Sequence, residues 1–324
     1  MVSVQSFFAA SNVLIVAGKG GVGKTTVGAV IAFAAARGGC DVLLVELEGY
    51  VNLELLGLGS LGTEPQVAAE DLLGAGAGKL EVTKLHPDEA LADYLDRSGM
   101  GPIIKTFSRT GAVEVVVAAA PGLRDLVTLG KIRQMEEAGH ADLIVVDAPA
   151  SGHALSLLTS AAGMADSASS GPIRQQADQA LAMLGDESRC RVMLVTLPEE
   201  TPVSETVETA FDIEDLVGVK LGPLVVNGLW PDIDGLSDAV AESAGCESKE
   251  IGTESAGNAT ALQAARYRLA RTADQQAQVA RLLTELPLDQ IHLPQRFTAS
   301  LGLDDLVTLA DAFVASPAVV GGRP

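Results

Sequence analysis

The stretch Asn12-Val13-Leu14-Ile15-Val16-Ala17-Gly18-Lys19-Gly20-Gly21-Val22-Gly23-Lys24-Thr25-Thr26 decides how this chain is read. Residues 12–17 are a short apolar run of the kind that forms a buried strand. Glycines then crowd the chain at Gly18, Gly20, Gly21 and Gly23. From Lys24 to about Arg37 small and apolar residues predominate, as in a helix packed on a sheet, and Gly38-Gly39 ends it. The spacing G-x-x-x-x-G-K-T is filled by Gly18, Gly23, Lys24 and Thr25. Glycines let several backbone N–H groups turn inward, and the helix that follows brings its positive end to the same place. A loop of this kind cradles the phosphates of a nucleotide, here with Gly18, Gly20, Gly21, Val22, Gly23, Lys24, Thr25 and Thr26. Lys24 is expected on the β- and γ-phosphate oxygens, and the Thr25 hydroxyl on Mg²⁺, which makes a nucleoside triphosphate and Mg²⁺ the expected ligands.

Working outward, residues 41–47 read as a second strand, so strand, glycine loop, helix and strand form a βαβ unit of a parallel sheet. Residues 57–78, rich in glycine and small side chains, read as loop with one helical turn at most. Residues 80–85 alternate like a strand, and His86-Pro87-Asp88 opens a helix to about Asp96. A helical insertion is expected at about 99–138, broken at Pro121-Gly122. Apolar strands follow at 143–146, 192–196 and 224–226, then a helix from about Val203, a long amphipathic helix at about 258–286, a strand at 290–293 and a helix at 303–314. The fold expected is α/β: a doubly wound, mostly parallel sheet of the P-loop NTPase type. We expect one ATPase domain over residues 1–324, with the helical subdomain at about 99–138.

Composition narrows the partners. The 324 residues carry 42 acids against 22 bases, a formal charge of −20. Such a surface repels nucleic-acid phosphates and anionic lipid, so no nucleic-acid partner is expected. Cys40, Cys190 and Cys246 form no CxxC and are odd in number, which argues against a disulfide framework or a zinc knuckle. There is no signal-like N-terminus and no apolar run of the ~20 residues a membrane span needs. The expected location is cytoplasmic.

Two further positions refine the site. Asp147 closes the apolar run 143–146, where a carboxylate would support Mg²⁺, although an aspartate there can also cap a helix. Lys19, a second lysine directly after the first glycine, resembles the signature of the deviant Walker A group. That group includes MinD, ParA, nitrogenase iron proteins and arsenite-pump ATPases. The resemblance implies that Lys19 reaches across a dimer to the partner's nucleotide, and a cation supplied in this way can contribute on the order of 10³–10⁵ in rate.

Within that group, Asp147-Ala148-Pro149-Ala150-Ser151-Gly152-His153-Ala154-Leu155 resembles the switch II segment DTAPTGHTL of ArsA-type ATPases. Leu85-His86-Pro87-Asp88-Glu89-Ala90-Leu91, Pro121-Gly122-Leu123-Arg124-Asp125 and Pro198-Glu199-Glu200-Thr201-Pro202, with Glu205-Thr206, resemble further stretches of the same family. The likeness runs from about residue 12 to the C-terminal helix. It implies that Gly152 senses the γ-phosphate and that Asn227 recognises adenine. A carboxamide can donate and accept toward a base edge at once, yet Asn227-Gly228 is also an ordinary turn pair.

The departures matter as much. The family's switch I aspartate aligns with Glu48, which would orient the attacking water, and Glu46 would lie nearer Mg²⁺. The extra methylene of Glu48 displaces its carboxylate, and a misplacement near 1 Å can cost ~10²-fold, so either hydrolysis is slow or Glu48 is tuned to a differently shaped site. No cysteine lies between residues 41 and 189 to bind arsenite, and residues 164–189 read as short and polar, unlike a groove for tail-anchored proteins. With one P-loop in the chain, pairing must be between chains, as a homodimer or with a paralogous ATPase. The reading is therefore a Mg-ATP-dependent, ArsA-like ATPase acting as a dimeric switch toward an unidentified protein cargo or membrane-protein partner. Two alternatives stay open: a nucleotide-binding regulatory subunit with little hydrolysis, and a positioning ATPase of the MinD/ParA type.

Overall fold

The computed structural model describes residues 4–47, 56, 58, 65–68, 73–97, 122–245 and 253–321. Helix α1 (Val4–Phe8) leads into β1 (Val13–Gly18), and α2 (Lys24–Arg37) follows the glycine loop. Next come β2 (Val42–Glu46), β3 (Gln66–Val67), β4 (Leu80–Lys84), α3 (Pro87–Arg97) and α4 (Leu123–Ala138). The chain continues through β5 (Leu143–Asp147), α5 (Ser151–Ser167), α6 (Pro172–Leu184), β6 (Cys190–Thr196), α7 (Glu200–Leu216), β7 (Lys220–Leu221) and β8 (Leu224–Leu229). It ends with α8 (Leu236–Gly245), α9 (Thr253–Glu285), β9 (Gln290–Pro294), α10 (Leu303–Ala315) and α11 (Pro317–Val320).

Among the described residues the strands form one sheet in the order β3-β4-β2-β5-β1-β6-β8-β9, with β7 beside β6. Every pairing is parallel except β3 with β4. Parallel strands are bridged by crossover helices that cover both faces, so their residues are apolar in unbroken runs. The period-2 alternation of strand side chains then sorts each run between two cores. Val13, Ile15, Ile144, Val146, Val192 and Leu194 face the layer of α3 to α7 and the end of α9. Leu14, Val16, Leu143, Val145, Met193 and Val195 face α1, α2, α10 and α11. Helix α2 is buried without interruption from Val27 to Ala36, which explains its small apolar composition on every side. No helix among the described residues is long and apolar enough to cross a membrane.

Among the described residues the expected strands and the main expected helices are present, with informative shifts, and β3 falls inside the stretch 57–78 that reads as loop. Of the expected 99–138 insertion, residues 99–121 lie outside the described residues. The rest is α4, which buries Leu126, Leu129 and Ile132 in the same layer as α5 and α6. Residues 164–189 are not a short polar piece: they hold the end of α5 and all of α6, whose Ala177, Ala180, Met183 and Leu184 are buried. Gln176 of α6 is buried too, in a notch left by Gly130 of α4, where an added Cβ would lie 1.5 Å from Gln176 Nε2. Strand β8 runs past Val226, with a register shift between Val226 and Leu229. Gly228, at φ +79°, makes that kink, so Asn227 sits inside a strand irregularity rather than in a turn beyond the strand.

Candidate functional site

The C-terminal edge of a parallel sheet is where ligands bind in open α/β folds, and here it gathers the glycine loop, Glu46 and Asp147. Gly18 ends β1 at φ +151°, and a Cβ on it would lie 2.3 Å from the carbonyl oxygen of Val195 on β6. Only glycine lets the chain leave the sheet at that point. Gly21 and Gly23 also take positive φ, and Gly23 is the N-cap of α2 without a side-chain cap. The first N–H groups of α2 are therefore left for an anion. Helix α5 likewise starts without a side-chain cap, at Ala150, whose Cβ is 4.0 Å from where a Cβ of Gly20 would sit. Two uncapped helix starts thus converge on one loop.

Lys24 folds over this loop, its Nζ donating to Lys19 O at 3.0 Å. Thr25 Oγ1 donates to Asp147 Oδ2 at 2.7 Å, joining the loop to the end of β5. Asp147 is 2 % exposed, and its Oδ1 has no hydrogen-bond partner. Burial pushes its carboxyl up to about 6, against the opposing pull of the Thr25 hydroxyl and the Lys24 ammonium. Glu46 ends β2 in register with Asp147 and is also buried. In-register residues on parallel strands share a face, here the α2 face that carries Thr25. Helix α2 can approach because Gly28 lacks a side chain: its Cβ would contact Asp147 Cβ and Leu44 Cδ1 at 3.9 Å.

Asn227 reaches the loop from the other side. Its Nδ2 donates to Val22 O at 2.9 Å and would lie 2.4 Å from a Cβ on Gly23. Gln275 of α9 holds the same irregularity in place, accepting from Trp230 N and donating to Gly228 O. Gly152 lies in the first turn of α5, with open space where its Cβ would be. Lys19 pairs with Glu205 of α7 at 2.6 Å. Glu48 lies outside the described residues, as does Cys246. Cys40 and Cys190 stand at the starts of β2 and β6, the opposite edge of the sheet, and no cluster of three or more His, Cys, Asp or Glu able to hold a metal occurs among the described residues.

Sequence reasoning had placed Lys24, Thr25 and Asp147 together. It had not found the ties from Asn227 to Val22, from Gln275 to the β8 kink, or from Lys19 to Glu205. Glu205 stood in a recognised stretch, but nothing local marks it as the partner of Lys19. Gln275 is one of several glutamines on a long helix and carries no signal at all.

Comparison with known proteins agrees with this geometry. Residues 11–170 match the family model of the anion-transporting ATPases. ATPase BagA of Mycobacterium tuberculosis is 31 % identical over 311 residues, covering 90 % of this chain and 88 % of the relative. A putative arsenical pump-driving ATPase of Halobacterium salinarum is 26 % identical over 238 residues, 68 % of this chain and 36 % of its own length. An arsenical pump-driving ATPase of Escherichia coli is 26 % identical over 235 residues, with 68 % and 35 % covered.

Proposed function

The chain belongs to the anion-transporting ATPase family, and we propose that it works as a Mg-ATP-dependent switch that closes as a dimer. The observation that carries this reading is the bond from Thr25 to a buried Asp147 whose second oxygen is still unsatisfied. A carboxylate withdrawn from water without a full set of donors is costly unless a cation completes it. Thr25, Asp147 and Glu46 offer hard oxygen donors on one face, which fits Mg²⁺. When bound, that ion would supply charge neutralisation at the phosphates.

The chain's own groups supply the remainder. The uncapped N–H groups of α2 and the Lys24 ammonium hold phosphate oxygens. For Lys24 this means exchanging the Lys19 carbonyl for an oxygen that bears charge, a stronger acceptor. Gly152, at the uncapped start of α5, is the position from which a γ-phosphate would order switch II. Lys19 would complete a second copy's site, or that of a paralogue, and Asn227 would face the base. The partner acted on is an unidentified protein cargo or membrane protein. Arsenical pumping, named for two relatives, is not carried over, because residues 41–189 contain no cysteine to bind arsenite.

Glu48 favours a second reading, a nucleotide-binding subunit that hydrolyses slowly or not at all. Single-turnover phosphate release with Mg-ATP, combined with solution mass with and without nucleotide, tests both. Release that depends on Lys24, with a nucleotide-dependent doubling of mass, is expected. Equally slow release from wild type and Glu48→Gln would leave only the binding reading, and a monomer under every condition would overturn the dimer.

A further inference from the structure

Lys19 is engaged within its own chain. Its ammonium lies 2.6 Å from Glu205 Oε1, with the lysine side chain half-exposed and the glutamate's 28 % exposed. Glu205 lies on α7 beside Thr206 and near Val203, both buried against the sheet, so its carboxylate is presented from a firm support. The start of α7 is braced from α9 as well, where Arg271 pairs with Glu199 and Arg281 donates to Ser204 Oγ. Helix α7 in turn packs on α5, the helix that opens at Gly152.

We propose that Glu205 is a positioning residue for Lys19, holding its ammonium in cis until a phosphate of a second copy displaces the carboxylate. The contact stands by itself, while its consequence rests on the dimeric reading above. Glu205 and a partner's nucleotide compete for Lys19. A polyphosphate carries more charge than one carboxylate, so a loaded partner wins the competition and an empty one does not. The pair therefore sets a threshold that discourages closure without nucleotide. Ion pairs this exposed are worth about 1.4- to fivefold each. A symmetric dimer must break two of them, so removing the carboxylate should tighten nucleotide-dependent pairing by about two- to thirtyfold.

Two measurements on the full chain test this, using wild type, Glu205→Gln, Glu205→Asp, Lys19→Ala and the double variant Lys19→Ala/Glu205→Gln. Trace amine acetylation without nucleotide, read by mass spectrometry against exposed Lys220, reports the release of Lys19 directly. Sedimentation equilibrium with Mg²⁺ and a non-hydrolysable ATP analogue reports pairing. Glu205→Gln is expected to acetylate Lys19 about 1.4- to fivefold faster and to pair more tightly, with Glu205→Asp near wild type. The substitution should change nothing once Lys19 is alanine. Equal acetylation in wild type and Glu205→Gln overturns the inference and leaves the dimeric reading intact. The same tightening in the Lys19→Ala background overturns it too. Faster acetylation with no dimer in any variant overturns the dimeric reading, and with it the threshold.

Discussion

Asn227 on β8 donates its carboxamide to the carbonyl oxygen of Val22 at 2.9 Å, so the strand expected to face the base also holds the phosphate loop. The two roles predict different outcomes. A residue that only reads adenine would, on becoming alanine, weaken ATP and leave inorganic triphosphate untouched. A residue that also holds the loop would weaken both. We expect Asn227→Ala to lose about three- to tenfold for each ligand, the worth of one hydrogen bond. Asn227→Asp should do worse, since it sets a charged oxygen beside the Val22 carbonyl. Trp230, three residues after Asn227 and the single tryptophan of the chain, is held through its backbone N–H by Gln275, so its emission should report the titrations.

Asp147 gives the site a pH dependence whose sign is fixed. Its carboxyl sits at about 6 in the folded empty chain, above its ordinary value of 3.8, because it is buried. A raised carboxyl stabilises the fold fully below pH 4, and that contribution is lost as pH rises through about 6. Two units correspond to roughly 3 kcal/mol at most. Asp147→Asn removes the charge, so the empty variant should melt higher than wild type at pH 8, with the gap closing toward pH 4. The same variant should gain no thermal stabilisation from Mg-ATP. In wild type that gain should shrink below pH 6, as a proton competes for the carboxylate. Paired melting curves across this range check all three outcomes.

What could be read from the sequence follows the physics of each element. Helix α2 and strand β5 were legible to within a residue or two, because unbroken apolar runs between glycines leave few alternatives. Thr25 and Asp147 were legible as a pair because each follows a strand of that kind. Helix α6 was not, since Gln176 is polar yet buried, and only the notch at Gly130 explains it. Asn227 was assigned a base contact, but its loop contact depends on a register shift that Gly228 makes possible. Strand β3 is two residues long and antiparallel, too short for any periodicity to show. Each of these features depends on a partner far away in the chain.

Gly18 and Gly23 should fail in different ways. At Gly18 an alanine Cβ would meet the backbone oxygen of Val195 at 2.3 Å, in the centre of the sheet, where nothing can yield. Gly18→Ala should cost about 3 kcal/mol or more of stability. At Gly23 the clash at 2.4 Å is with the Asn227 side chain, which can swing away. Gly23→Ala should fold with a cost of about 1–2 kcal/mol from its positive φ and lose most nucleotide affinity as the cradle distorts. Removing the clash with Asn227→Ala should not restore binding, because the backbone strain remains. Denaturant midpoints and nucleotide titrations separate the two cases.

The far edge of the sheet supplies the contrasting case. Glu136 of α4 is nearly buried there and accepts from Asn12 Nδ2 at 3.0 Å and from the Arg189 guanidinium through two bonds. Those bonds, the Arg189 contact first, hold its carboxyl below the ordinary 4.5 despite burial. Arg189→Ala would leave a part-buried carboxylate with Asn12 as its remaining side-chain donor, and we expect a loss of about 1–3 kcal/mol. A lowered carboxyl stabilises the fold above its unfolded value, and that stability fades as pH falls through the folded one. The penalty of Arg189→Ala should therefore be full at pH 7 and shrink below pH 4. ATP affinity should stay within twofold of wild type in the folded variant, because this cluster lies where β1 and β6 begin, at the edge of the sheet opposite the glycine loop, Asp147 and Asn227. A parallel loss of affinity would mean that the two edges of the sheet are coupled through β1 and β6.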